Sequence, residues 1–305
     1  MLLKGVVRLD SSKSVDLGEL PTAPPDDGPD EVALEGLLAA EVARIAKLQR
    51  KLVAQNRWAV LVILQGMDTS GKDGAIRAAL SGVDPAGCQV HAFKAPSHEE
   101  LDHDFLWRTW SRLPERGRIG VFNRSWYEEV TAVRVEPSWL ARQSLPHIGD
   151  DIWTERLDSI RHAERHLRRN GTVILKVLLH LSKGEQRRRL LARIDDPERN
   201  WKLDPADLDA RDRWKDYRKA YEAAIEQTAR PEAPWYIVPA DHKPWARLAV
   251  AQVIRRQLEE LDLEWPEATD AIKAKLSDMR ARLQKPDDRA PDEPEPAPPA
   301  TEEPS

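Results

Sequence analysis

Gly66-Met67-Asp68-Thr69-Ser70-Gly71-Lys72-Asp73-Gly74 follows the unbroken apolar run of residues 59–64 and leads straight into a stretch with helical spacing. A strand that ends in a glycine-containing loop and feeds directly into a helix is the context a phosphate-binding P-loop requires. The glycines let successive backbone N–H groups point into one concavity, the helix beginning near Asp73 adds its positive end, and Lys72 supplies a mobile point charge. Phosphate oxygens are therefore expected against Gly66, Thr69, Ser70, Gly71, Asp73 and Gly74. The motif departs from the usual pattern at one position. Asp73 stands where a hydroxyl normally helps to hold magnesium, so a metal ligand has to come from elsewhere, and Asp68 inside the loop is the candidate.

Outward from this loop, short β-rich runs at residues 59–64, 89–93, 119–122, 173–179 and 235–238 alternate with helical ones at 74–80, 101–113, 153–169, 183–194, 208–228 and 245–261. Such alternation predicts a parallel sheet covered by helices, with ligands bound beyond the carboxyl ends of the strands. Upstream, Leu34, Leu37, Leu38, Ile45, Leu48 and Leu52 recur at three- and four-residue spacing. That predicts an amphipathic helix lying against the core or a partner subunit.

Two further segments carry chemistry. In Val121-Phe122-Asn123-Arg124-Ser125-Trp126-Tyr127-Glu128-Glu129 a buried strand runs into polar residues, one strand-helix step beyond the loop, where P-loop enzymes keep an acidic residue facing the metal. Arg124 could clamp a phosphate with its fork, or simply pair with Glu128 on the surface. The second is the arginine-dense stretch from Ser182 through Arg193 to Arg199, at the ligand end of the sheet, where a lid over residues 182–206 is expected. Arg187, Arg188 and Arg189 diverge by about 100° each on a helix, so they cannot all face one phosphate. One or two of Arg187, Arg188 and Arg193 are expected to serve the lid. His162 and His166 lie four apart, but the arginines around them make a cation site there unfavourable.

Composition bounds these expectations. No apolar run approaches the roughly 20 residues that cross a bilayer as a helix, and the first ten residues offer no signal-peptide core. With a single cysteine, Cys88, no internal disulfide can form, and a cytoplasmic protein without membrane partners is expected. Residues 1–30 carry three basic and six acidic side chains and residues 285–305 two and seven. Of the formal net charge of −5 the two ends thus account for −8, and residues 31–284 carry +3. Both ends are rich in Pro and acidic residues and read as flexible, leaving residues 31–284 as the catalytic domain between a flexible N-terminal segment and an acidic tail.

Taken jointly, these segments resemble the polyphosphate kinase 2 family. The matching residues are Gly66 to Gly74, the stretch Phe122-Asn123-Arg124-Ser125-Trp126-Tyr127-Glu128, and Asn170-Gly171-Thr172-Val173-Ile174-Leu175-Lys176 leading to the lid. Trp201-Lys202-Leu203-Asp204-Pro205-Ala206-Asp207-Leu208 and Pro234-Trp235-Tyr236-Ile237-Val238-Pro239-Ala240-Asp241 extend the match, which runs from Leu34 to Leu263. The resemblance implies a three-layer α/β/α P-loop kinase-like fold with a central parallel sheet and a helical lid. It also implies Mg2+, polyphosphate and AMP or ADP as substrates with GMP and GDP left open, and a homo-oligomer that binds no nucleic acid. By carry-over, Asp68, Lys72, Asn123, Arg124 and Glu128 would form the catalytic centre, with Asp68 and Glu128 on the metal. Lys94 and the lid arginines would touch the polyphosphate chain. Many members place Asp where this chain has Asn123, and the form found here looks more like the subgroup that accepts both AMP and ADP.

Two other functions share the loop. An ATP-dependent kinase of a small metabolite would show a deep pocket with few cations on the acceptor side. A long, continuous cationic groove favours polyphosphate. A non-catalytic nucleotide-binding module would have no need of Asp68, Lys72, Arg124 and Glu128 together.

Overall fold

Strand β2 (Ala59–Gln65) is buried along its whole length, which a strand achieves only in the middle of a sheet covered on both faces. The computed structural model describes residues 2–284. β2 pairs in parallel with β4 (Ile119–Asn123) on one side and with β5 (Thr172–His180) on the other. β3 (Cys88–Ala92) lies outside β4, and β6 (Trp235–Pro239) outside β5, both parallel. The chain steps from β4 across β2 to β5, so the crossovers diverge beside the end of β2 and open a crevice at the carboxyl ends of the strands.

Alternation along the strands builds two cores. Val60, Val62 and Leu64 pack with helices α1 (Glu31–Gln55), α2 (Lys72–Leu80) and, from the far end of the chain, a helix over Lys243–Glu259. Leu61, Ile63, Phe122 and Trp235 pack on the opposite face, against helices over Ile152–Arg169 and Trp214–Thr228. The long first helix starts at Asp30, whose side chain accepts from the Ala33 N–H, and stops at Asn56 in the left-handed region. Between β3 and β4 the expected helix over 101–113 is instead two single turns, α3 (His98–Leu101) and α4 (Trp107–Trp110). The Asp104 carboxylate takes the Leu106 N–H, a local bond that competes with a continuous helix. After β4 come a 3₁₀ turn over Trp126–Val130, α5 (Ala132–Val135), α6 (Pro137–Ala141) and α7 (Ile152–Arg169). Beyond β5 lie α8 (Lys183–Ile194), α9 (Ala206–Asp212) and α10 (Trp214–Thr228), so the expected helix over 208–228 is interrupted at Arg213. α11 (Lys243–Glu259) completes the covered sheet. No helix among the described residues is long and apolar enough to cross a membrane.

The N-terminal segment departs from the flexible stretch that composition suggests. β1 (Val7–Leu9) adds an antiparallel edge to β6, with Val7 opposite Ile237 and Leu9 opposite Trp235, so the sheet is mixed rather than wholly parallel. Leu17 is 2% exposed and its N–H donates to Glu222, while the Thr22 hydroxyl donates to Asp241. A few apolar residues suffice here because β6 offers a ready edge to pair with. Deleting residues 1–20 should therefore lower the melting temperature by at least about 5 °C, since burial of one leucine alone is worth roughly 2 kcal/mol. An unchanged thermal transition would show that this segment contributes nothing. At the other end the compact unit closes at Trp265, short of residue 284. α12 (Asp270–Leu283) belongs to a separate unit, capped by the Thr269 hydroxyl and exposed throughout. The acidic tail, residues 285–305, lies outside the described residues.

Candidate active site

The loop after β2 is shaped by three residues with positive φ. Gly66 has φ 148°, and a Cβ there would come within 2.8 Å of both the Leu179 carbonyl and the Ser70 hydroxyl, so only glycine fits. Thr69 at φ 65° and Gly71 at φ 100° turn the chain into α2. Ser70 closes a turn with its N–H on the Met67 carbonyl (3.1 Å). The amides of Gly71 and Lys72 make no hydrogen bond among the described residues, and the buried hydroxyls of Thr69 and Ser70 likewise have no partner there. Donors of this kind at a helix start form an anion nest.

Lys72 is folded back rather than extended. Its Nζ donates to the carbonyls of Gly66 (2.7 Å) and Met67 (3.3 Å). Burial and the neighbouring Arg124 push its pKa down, against Asp68, Glu128 and Asp73.

β4 delivers the second group of residues. Asn123 ends the strand and donates its side-chain amide to Asp73, tying the strand end to the first turn of α2. Arg124 sits at φ 65° with its N–H on the Leu64 carbonyl, and the Ser125 hydroxyl caps the 3₁₀ turn that follows. That turn sends Trp126, Tyr127 and Glu129 inward and leaves Glu128 on the cleft. The Arg124 guanidinium lies between two carboxylates, 2.6 Å from Asp68 Oδ1 and 3.6 Å from Glu128 Oε2. The surface-pair alternative for Arg124 and Glu128 therefore gives way to a three-membered charge cluster at the mouth of the loop. Glu128 most of all, then Asp68, holds the Arg124 pKa up despite burial. Burial alone would raise the Asp68 carboxyl, but Lys72 and Arg124 together keep it below its ordinary value.

α8, α9 and α11 close the other wall. The cleft they make with the loop holds about 1430 Å3. Lys94, Arg188 and Arg193 of the expected phosphate contacts line it. Arg193 pairs with Asp207 at 3.6 Å, and Arg188 pairs with Glu185 at 2.6 Å while remaining largely exposed. Arg187 is a correction: it is exposed and does not line the cleft, because its place on α8 turns it away from the loop. The inward member of the run is Arg189, 6% exposed, which the divergence of the three arginines left unassigned.

Sequence reasoning also missed Arg77, Arg213, Lys243 and Arg247, which widen the cationic lining. Cations scattered over α2, the junction of α9 with α10, and α11 leave no local motif; only the fold gathers them. Asp207, at the start of α9, lines the cleft within reach of the Asp68 charge. Burial and the Asp68 charge push its carboxyl up to about 6.

Among the described residues no group of three or more His, Cys, Asp or Glu side chains is arranged to hold a metal ion. Magnesium needs no such cage, since it takes one or two carboxylates and completes its shell with phosphate oxygens and water. Asp68 within the loop and Glu128 beside it, both hard oxygen donors, fit that requirement. A cleft of this volume lined by many cations, with hard donors at the loop, suits a polyanion better than a small neutral metabolite.

A family model described as polyphosphate kinase 2 matches residues 30–266. An ADP-polyphosphate phosphotransferase of Rhodopseudomonas palustris is 51% identical over 281 residues, covering 91% of this chain and 97% of that protein. An AMP/ADP-polyphosphate phosphotransferase of Meiothermus ruber is 41% identical over 258 residues, 83% of this chain and 93% of the relative. Among solved structures, that of polyphosphate kinase 2 from Arthrobacter aurescens TC1 superimposes with a TM-score of 0.81 at 40% identity, covering 93% of this chain and 98% of the other.

Proposed function

The chain belongs to the polyphosphate kinase 2 family and phosphorylates nucleotides at the expense of polyphosphate, and from that premise we propose that it serves both ADP and AMP by direct in-line transfer at the Asp68–Arg124–Glu128 cluster. The observation that carries this reading is the position of Arg124, held at 2.6 Å by Asp68 in front of a loop whose Gly71 and Lys72 amides have no partner among the described residues. An acceptor phosphate oxygen attacks the terminal phosphorus of the chain, the bond to the next phosphate breaks, and the shortened polyphosphate leaves as an anion. Lys72, Arg124 and the arginines of the α8 wall neutralise the anions brought together, and the loop amides fix the terminal phosphate. Magnesium, when bound by Asp68 and Glu128, supplies further charge neutralisation between donor and acceptor. No histidine takes part, so no covalent phosphoenzyme is invoked.

The test is to incubate the purified protein with magnesium and long-chain polyphosphate, offer AMP, ADP, GMP or GDP without ATP, and separate the nucleotides formed. ADP should become ATP, and chelation of magnesium should stop the reaction. Turnover that continues in excess chelator would remove the metal from this scheme. Phosphorylation of a small metabolite by ATP, with none of any nucleotide by polyphosphate, would overturn the function.

Acceptor choice rests on Glu128. AMP brings one phosphate fewer than ADP, so it offers fewer oxygens of its own to hold magnesium, and the Glu128 carboxylate makes up the difference. Glu128→Ala should lower kcat/KM for AMP by about tenfold more than for ADP, read as a difference in transition-state stabilisation. Equal losses for the two acceptors would make Glu128 a general residue of the site.

A further inference from the structure

Arg189 is the most heavily committed side chain near the loop. Its Nε donates to Glu185 (2.6 Å), Nη1 to the carbonyls of Thr69 (3.0 Å) and Ser70 (3.2 Å), and Nη2 to those of Ala240 (2.6 Å) and Asp241 (3.0 Å). A guanidinium has five N–H donors, and all five are engaged, so none is left for a phosphate. One turn earlier on the same helix face, the Gln186 amide reaches the Asp68 carbonyl (3.3 Å). Three consecutive carbonyls of the loop, those of Asp68, Thr69 and Ser70, are thus drawn toward α8. α8 is itself pinned to the end of β6, because Asp241 Oδ1 accepts the N–H of its cap, Ser182 (2.7 Å).

Peptide planarity gives this pull a consequence. In a trans peptide the carbonyl of one residue and the N–H of the next point in opposite directions. Drawing the Thr69 and Ser70 carbonyls toward α8 turns the amides of Ser70 and Gly71 away from it. Ser70 spends its N–H inside the loop, whereas Gly71 has no partner among the described residues. Gly71 lines the cleft.

We propose that Arg189, assisted by Gln186, is a positioning residue that holds the P-loop peptides in their phosphate-accepting orientation by gripping the loop carbonyls from α8. It lines the cleft beside Arg188 and Arg193, but with every donor spent on protein acceptors it acts on the reaction without touching phosphate. The arrangement needs a planar fork with donors on separate nitrogens. A lysine keeps the charge but gathers its donors on one nitrogen and cannot reach carbonyls of two separate loops.

The proposal rests on the phosphate-binding role of the loop, and two readouts keep the two ideas apart. Calorimetric titration with polyphosphate of defined length reports binding without turnover, and polyphosphate-driven formation of ATP from ADP reports catalysis. Absence of both from the wild-type protein would fail the functional reading, not the role of Arg189. Arg189→Lys, compared per folded molecule, should lose about a hundredfold in kcat/KM, the cost of a displacement of about 1 Å in a positioned group. It should also bind polyphosphate more weakly. Wild-type constants per folded molecule, with only the melting temperature lowered, would reduce Arg189 to a fold residue and overturn the proposal. Should the lysine variant not fold, Arg189→Gly with added guanidinium ion decides. Turnover rising beyond the gain in folded fraction supports positioning, and turnover that only tracks the folded fraction overturns it.

Discussion

Lys72→Met should abolish most turnover, by at least about a hundredfold, in a protein that still folds. A positioned charge at a reacting phosphate contributes a few kcal/mol that exist only in the transition state, and methionine removes it while keeping the length of the chain. The resting geometry shows how the charge is kept ready. Nζ is parked on the carbonyls of Gly66 and Met67, acceptors that a phosphate oxygen outcompetes, because a charged acceptor gives a hydrogen bond roughly twice as strong. The same contacts set the cost to stability. Without Nζ the Gly66 carbonyl loses its donor in a buried place, at about 1 to 3 kcal/mol, which for a chain of this size lowers the melting temperature by several degrees. Kinetics and a thermal melt on the same preparation separate the two effects. Near-normal turnover in the folded variant would take the loop out of the mechanism.

How much of this site the sequence discloses depends on whether its parts are contiguous. Gly66 to Gly74 is legible because strand, loop and helix start follow one another, and each residue type has a separate reason to be there. Asn123 to Glu128 is legible for the same reason, although its geometry is not: nothing in the spelling places Arg124 against Asp68, 56 residues away. The arginine run of α8 marks itself as important by its density, but density does not say which member faces inward. Helical spacing excludes a common target for Arg187, Arg188 and Arg189. Choosing among them requires knowing that Gln186 and Arg189 share the face turned to the loop. β1 escapes because Val7–Leu9 is too short to announce a strand, and its pairing is decided by the edge that β6 presents. Ionic partners far apart in sequence, such as Arg213 with Glu136 or Arg193 with Asp207, carry no local signal at all.

The largest effect on stability is expected at a position within a matching segment whose charge the strand pattern leaves unexplained. Lys176 lies in the middle of β5 with its side chain 0% exposed, 2.7 Å from Glu164 Oε2 on α7, and it also donates to the Thr228 carbonyl (2.8 Å). Tyr127 donates to Glu164 and lies 2.9 Å from the Thr228 hydroxyl, and Trp235 Nε1 donates to that hydroxyl. β5, β6, α7, α10 and the turn carrying Glu128 are thereby joined through one buried polar network. Burial pushes Glu164 up and Lys176 down, and each offsets the other's penalty. Lys176→Met removes only one partner and strands the Glu164 carboxyl in a dry core, a loss of about 3 to 5 kcal/mol. That corresponds to a melting temperature lower by roughly 10 °C or more. The deficit should depend on pH with a definite sign. A carboxyl whose pKa is raised in the folded state binds its proton more readily there than when unfolded, so its penalty is absent below the unfolded value and grows as pH rises. The gap to wild type should therefore be narrower at pH 5 than at pH 8. Lys176→Met combined with Glu164→Leu, which replaces both charges, should recover at least half of the loss, because a buried ion pair costs more to break than to exchange for apolar groups. A double variant no more stable than the single one would mean that the network, and not the uncompensated charge, carries the stability.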